Sequence, residues 1–136
     1  MIEIISIFIL WCVWSILEAN REAYFFHRIE VTKEVGKHLH IMWTLQRSCV
    51  FIIIVLFKFD WWLISLPLVF TAIHDSWYYY YRNMFNPVIY TKKWFSQSTS
   101  STAWSTFLFV PWVRITMFVI GVGILITYLF QKLQLV

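Results

Sequence analysis

Charge is what this sequence has least of. Only 13% of its residues are Asp, Glu, Lys or Arg, while 60% are hydrophobic and 21% aromatic. A soluble domain is about a quarter charged and about half apolar. A chain of 136 residues folded in water would also leave much of its surface exposed. The scarcity of charge therefore excludes an ordinary soluble domain and points to lipid as the solvent. Cysteine is nearly as scarce. Cys12 and Cys49 both sit inside apolar segments, which excludes a disulfide framework or a CxxC metal site and leaves them as small buried hydrophobes. The net charge of +4 is dispersed among turns, with no continuous basic face, so no nucleic-acid partner is expected. Met1-Ile2-Glu3 lacks the basic region of a secretory signal, and no small-x-small cleavage site follows the first apolar run. That run is expected to remain as a helix. There is no internal repeat.

What the sequence does have is four long apolar segments. They predict helices over 3–27, 39–57, 61–81 and 105–130, with a polar loop over 83–103, in a single transmembrane domain covering 1–136. A spanning helix needs about 20 residues at a rise of about 1.5 Å each. The third and fourth segments meet that length and the second nearly does. The first meets it only by burying part of its polar end, from Glu18 onward. Lys58-Phe59-Asp60 reads as a tight turn, Arg28 to Lys37 as a short charged loop, and Asn86-Pro87 as a turn before the polar stretch 96–102. Pro111 either starts helix four or kinks a longer one.

The predicted fold is thus an all-α membrane protein, a four-helix transmembrane bundle of antiparallel up-down topology. Arg28, Lys33 and Lys37 fall in one loop and Arg82, Lys92 and Lys93 in another on the same side, against Lys58 and Lys132 opposite. By the positive-inside rule those two loops are cytoplasmic and both termini lie outside. The nine Trp and seven Tyr, including the run Trp77-Tyr78-Tyr79-Tyr80-Tyr81, suit the two membrane–water interfaces. The expected location is a multi-pass position in a cell membrane or a viral membrane, with lipids as partners.

The functional candidates are the ionisable residues within the spans: Glu18, Arg21 and Glu22, then His40 and Arg47, then His74 and Asp75, then Arg114. Such residues are costly in hydrocarbon and commonly face the interior of a bundle. With up-down topology all of them fall in the cytoplasmic half. Glu18, His74, Asp75 and Arg114 then lie roughly 5–15 Å below the boundary, with Arg47 nearer the midplane. Helical phase puts Glu18 and Glu22 on one face with Trp11, Trp14 and Ser15, and aligns His40, Thr44, Arg47 and Phe51 on another helix. His27 and His38 fall off these faces and are expected at the interface.

Three readings fit this layer. The favoured one is structural. Glu18, Glu22 and Asp75 balance Arg21, Arg47 and Arg114 in a neutral network, or the arginines bind a lipid headgroup. The first alternative is a metal-dependent membrane enzyme acting on a lipid, with Glu18, Glu22, His40, His74 and Asp75 around a divalent Zn, Fe or Mn. No His-Glu-x-x-His, Glu-x-x-His or desaturase-type histidine box accompanies them, so the sequence leaves open whether the protein is an enzyme. The second alternative is an ion or proton pathway in a homo-oligomer, or in a complex with another membrane protein.

Overall fold

The structure is a computed structural model that describes residues 1–28, 33–57, 60–88 and 111–134. It is all-helical over the described residues: α1 (Ile2–Arg28), α2 (Lys33–Phe57), a short 3-10 turn (Trp61–Ile64), α3 (Ser65–Phe85) and α4 (Pro111–Gln134). Three helices are long and apolar enough to cross a membrane: Ile2–Arg28, His38–Leu56 and Pro111–Gln134. The third predicted span, now α3, is not among them. Its C-terminal half carries His74, Asp75, Arg82 and Asn83 among aromatic rings, and these lower its apolarity below that of its neighbours.

The boundaries show where hydropathy misleads. α1 agrees with the predicted helix to within a residue at each end. α2 starts at Lys33, inside the stretch predicted as a charged loop, and α3 continues to Phe85, beyond the predicted end at 81. Loss of apolar character marks where lipid is expected to end. It does not mark where the i to i−4 hydrogen bonds end, so polar turns extend both helices. The predicted start of helix four at 105, the stretch 96–102, and Lys58, Lys92 and Lys93 lie outside the described residues.

Local chemistry accounts for the ends of α3. Asp60 is extended, and its Oδ1 accepts from the Trp61 backbone N–H at 2.8 Å, capping the 3-10 turn that leads into the helix. Pro67 falls in the first turn of α3, where a missing N–H does least harm. At the other end the Asn86 N–H bonds back to the Arg82 carbonyl at 3.1 Å, and Pro87 follows.

α3 is the centre of the packing, with α1 and α4 lying closely against it. Small residues on the buried sides of α1 and α3 (Ala19, Ala23, Ala72 and Ser76) keep bulk out of these buried surfaces. On α4, a Cβ at Gly121 would stand 2.7 Å from Val69 Cγ2 and 3.1 Å from the Ser65 carbonyl oxygen. Only glycine allows that approach. The apolar core gathers Ile4, Trp11, Trp62, Leu63, Leu66, Leu125 and Tyr128 around the N-terminal end of α3. Trp11 Nε1 donates to the Leu66 carbonyl at 2.8 Å, tying α1 to α3. α2 differs from the rest. None of its described side chains is buried: Val50, Phe51, Ile54 and Val55 pack half-buried against the core, and Trp43 and Arg47 reach α1.

Candidate polar site

α1, α2 and α3 each bring ionisable groups to the C-terminal half of α3. The buried stripe of α1 runs through Trp11, Ser15, Glu18 and Glu22, at the three- and four-residue spacing that keeps side chains on one face. Glu22 is the meeting point. Its Oε1 pairs with Arg47 Nη2 of α2, and its Oε2 lies 3.5 Å from His74 Nε2 of α3. Arg47 Nη2 is also 3.2 Å from His74 Nε2, and its guanidinium lies over the Phe70 ring at 5.1 Å. On its other nitrogen, His74 Nδ1 is 3.2 Å from Asp75 Oδ1.

Hydrogen-bond logic assigns the protons. A guanidinium can only donate, so Arg47 donates to His74 Nε2, which must be the unprotonated nitrogen. His74 then donates from Nδ1 to Asp75. The ring is neutral in this arrangement, and the 3.5 Å separation of Nε2 from Glu22 is an approach of two acceptors. Phe70 and Tyr78 stack on the two sides of the imidazole, with centroids at 5.0 and 6.3 Å. The ring therefore has little freedom to turn.

The other predicted site residues make further contacts beside this chain, within reach of its charges: Glu18 and Asp75 act on Arg47, and Asp75 on His40 and Arg114. Glu18 Oε2 pairs with Arg21 Nη2 at 2.6 Å, three residues along the same helix, and Arg21 is 47% exposed at its side chain. His40 stacks on Phe26 at 5.4 Å and meets Trp43 edge-on at 6.1 Å. Arg114 is fully buried on α4 with its guanidinium over the Tyr79 ring at 5.7 Å, and the charge of Asp75 acts on it as well as on Arg47. Asp75 Oδ2 is buried and makes no hydrogen bond among the described residues, so charge attraction is its compensation. His27 and His38 are both exposed, and His27 stacks on Phe85 at 5.6 Å.

Within the expected layer Glu22, Arg47, His74 and Asp75 are joined by direct contacts, Glu18 pairs with Arg21, and Arg114 is buried within reach of the Asp75 charge. Glu18 forms its ion pair with the local i to i+3 partner Arg21, and its charge also acts on Arg47 of α2. Of the predicted metal ligands, Glu22, His74 and Asp75 come together while Glu18 and His40 make other contacts, and no group of three or more His, Cys, Asp or Glu able to hold an ion occurs among the described residues. Arg47 takes up the Glu22 carboxylate and the His74 acceptor nitrogen that an ion would need. The cysteines also differ from expectation: Cys12 is half-buried and Cys49 is exposed, since α2 turns Cys49 away from the core on which Val50 packs.

A second polar contact lies outside the predicted set. Tyr128 of α4 donates its hydroxyl to Asp60 Oδ2, and Lys132 Nζ lies 5.4 Å from the same ring. Asp60 thus caps the 3-10 turn with one oxygen and holds α4 with the other. An Asp just before an apolar run is a readable cap signal; nothing in the sequence pairs it with a tyrosine so far along the chain. Comparison with known proteins finds no matching family model, no matching curated protein and no matching solved structure.

Proposed function

We propose that the chain is an integral membrane protein of four spanning helices, arranged up-down with both termini outside, in which the Glu22–Arg47–His74–Asp75 chain is a structural clasp. The observation that carries the clasp is the position of Arg47. α2 buries no described side chain, yet this one guanidinium reaches Glu22 of α1 and His74 of α3 together. In a bilayer, apolar contact between helices gains little over contact with lipid, and directional polar contacts take over. Charge balance supports the same reading: Glu18 with Arg21, Glu22 with Arg47, and Asp75 under the influence of Arg114 leave His74 neutral.

Two further features support the spanning and up-down parts. α3 lacks the apolarity of its neighbours, but its His74 faces Glu22 of α1 and Arg47 of α2 and the charge of Asp75 acts on Arg114 of α4, as suits a central span. The apolar core combines early residues of α1 and α3 with late residues of α4, and late residues of α2 pack half-buried against it, the pattern that alternating direction produces. The test is side-specific labelling of single cysteines. Ser98→Cys should react only from the cytoplasmic side and Val136→Cys only from outside; labelling of Ser98→Cys from outside reverses the orientation. For the clasp, a double-mutant cycle on Glu22→Gln and Arg47→Gln should give a coupling of about 1 kcal/mol or more in unfolding. Additive effects would mean that the pair holds nothing.

A proton path through His74 is the second reading, favoured by its two ring nitrogens facing Glu22 and Asp75. Purified protein in liposomes would then dissipate an imposed pH gradient, and His74→Phe would abolish the leak.

A further inference from the structure

Among the described residues, one side of α2 has no partner, and that side has a pattern. Met42, Gln46, Cys49, Ile53 and Leu56 are all exposed and follow one another at intervals of four, three, four and three residues. This is the heptad spacing along which two helices supercoil. At about 100° per residue the stripe lies nearly opposite Arg47, so the clasp and the stripe use different faces of the helix.

An apolar stripe alone would be covered by lipid. Gln46 is what lipid cannot cover. It sits near the middle of the span His38–Leu56, about 12–15 Å from either end at the helical rise, beyond the reach of its side chain. The hydroxyls of Thr44 and Ser48 bond to the carbonyls of His40 and Thr44 one turn back, at 2.7 and 2.9 Å. The Gln46 amide makes no hydrogen bond among the described residues. Hydrocarbon offers it neither donor nor acceptor. An amide is, however, complementary to a second amide, its carbonyl accepting what the other NH2 donates. Two copies inserted in the same orientation carry this residue at the same depth, on either side of a twofold axis along the membrane normal. A second copy of the chain therefore matches the stripe in both depth and chemistry.

We infer that α2 is the interface of a parallel homodimer, with Gln46 paired to Gln46 of the partner subunit inside a heptad seam of Met42, Cys49, Ile53 and Leu56. The inference rests on the membrane-spanning reading, and the experiment separates the two. The full chain carrying Cys12→Ser, in membrane vesicles, retains Cys49 as its one thiol. Oxidation with copper phenanthroline should then give a disulfide-linked dimer on a non-reducing gel. With Cys49→Ser added, Met42→Cys or Ile53→Cys should cross-link likewise and Ser48→Cys, turned well away from the stripe, should not. Gln46→Leu should weaken dimerisation about fivefold, and Gln46→Asn should largely restore it. Absence of a Cys49 dimer, equal cross-linking at Ser48→Cys, an adduct with a different protein, or an unchanged dimer in Gln46→Leu would each overturn the inference. Release of the protein from vesicles by alkaline carbonate would overturn the spanning reading along with it. Retention of a protein that stays monomeric would overturn the dimer alone.

Discussion

The two halves of α3 are held by different physics. Toward its N-terminus, Leu66 and Val69 are fully buried beside Trp62 and Leu63 of the 3-10 turn, and α4 approaches there at the bare backbone of Gly121. Toward its C-terminus, His74, Asp75, Ser76 and Tyr79 are buried instead, and the partners are charges and ring faces. The first half is specified by shape and the second by direction. Close-packed shape tolerates the loss of one contact because many others remain. A buried ion chain does not, because each member leaves the next without compensation.

The sharpest way to break the polar half is at Arg47. Arg47→Ala should destabilise the protein by about 3–5 kcal/mol, since it strands a buried carboxylate and an imidazole acceptor together. Thermal or denaturant unfolding in detergent reads this directly. Replacing Glu22 and Arg47 together by apolar residues of similar size should cost much less than either single change. If the double replacement is the worse of the two, direction is not what holds this half.

The shape-held half should respond next most strongly. Gly121→Ala forces its Cβ against Val69 and the Ser65 carbonyl, an overpacking that costs about 1–3 kcal/mol. Gly123 is the control two residues away. A Cβ there meets nothing within 4 Å, so Gly123→Ala should be neutral or slightly stabilising through helix propensity. Equal effects at the two glycines would remove the close approach of α4 from the account.

A smaller effect is expected at Trp11, which belongs to both regimes. Trp11→Phe keeps most of the ring contacts with Trp14, Phe51 and Phe70 but deletes the donor to the Leu66 carbonyl. Its cost should be roughly 1 kcal/mol. The smallest is at the far end: Tyr128→Phe removes the hydroxyl on Asp60 and should cost under about 1 kcal/mol. Asp60→Ala should exceed it, because the cap on Trp61 is lost as well. Reversal of that order would separate the tyrosine contact from the cap.

Part of this was legible in advance for definite reasons. The stripe of Trp11, Ser15, Glu18 and Glu22 follows from helical geometry alone, and all four residues are buried together. Position along each helix was equally readable, because the rise per residue is fixed. Partner choice was not. Glu18 and Glu22 are one turn apart on the same face, yet one takes the local Arg21 and the other the distant Arg47. Helical phase gives a direction from one axis, and it says nothing of which neighbouring axis stands there or how far away. His40 shows the same limit. It shares its stripe with Arg47 but ends in an aromatic cluster with Phe26 and Trp43.

The sequence by itself determined that the described residues are helical, and three of the four stretches it marked are long and apolar enough to cross a membrane. Composition and period are local properties, and a helix satisfies its own backbone without help from the rest of the chain. Only the tertiary structure decided that α3 lies at the centre, that Gly121 is its point of closest approach, and that Glu22, Arg47 and His74 meet. Those outcomes depend on which helix stands beside which, and at what distance. The physical reason is that an ion pair or a backbone contact exists only within a few ångströms, a distance set jointly by every residue that packs between the helices.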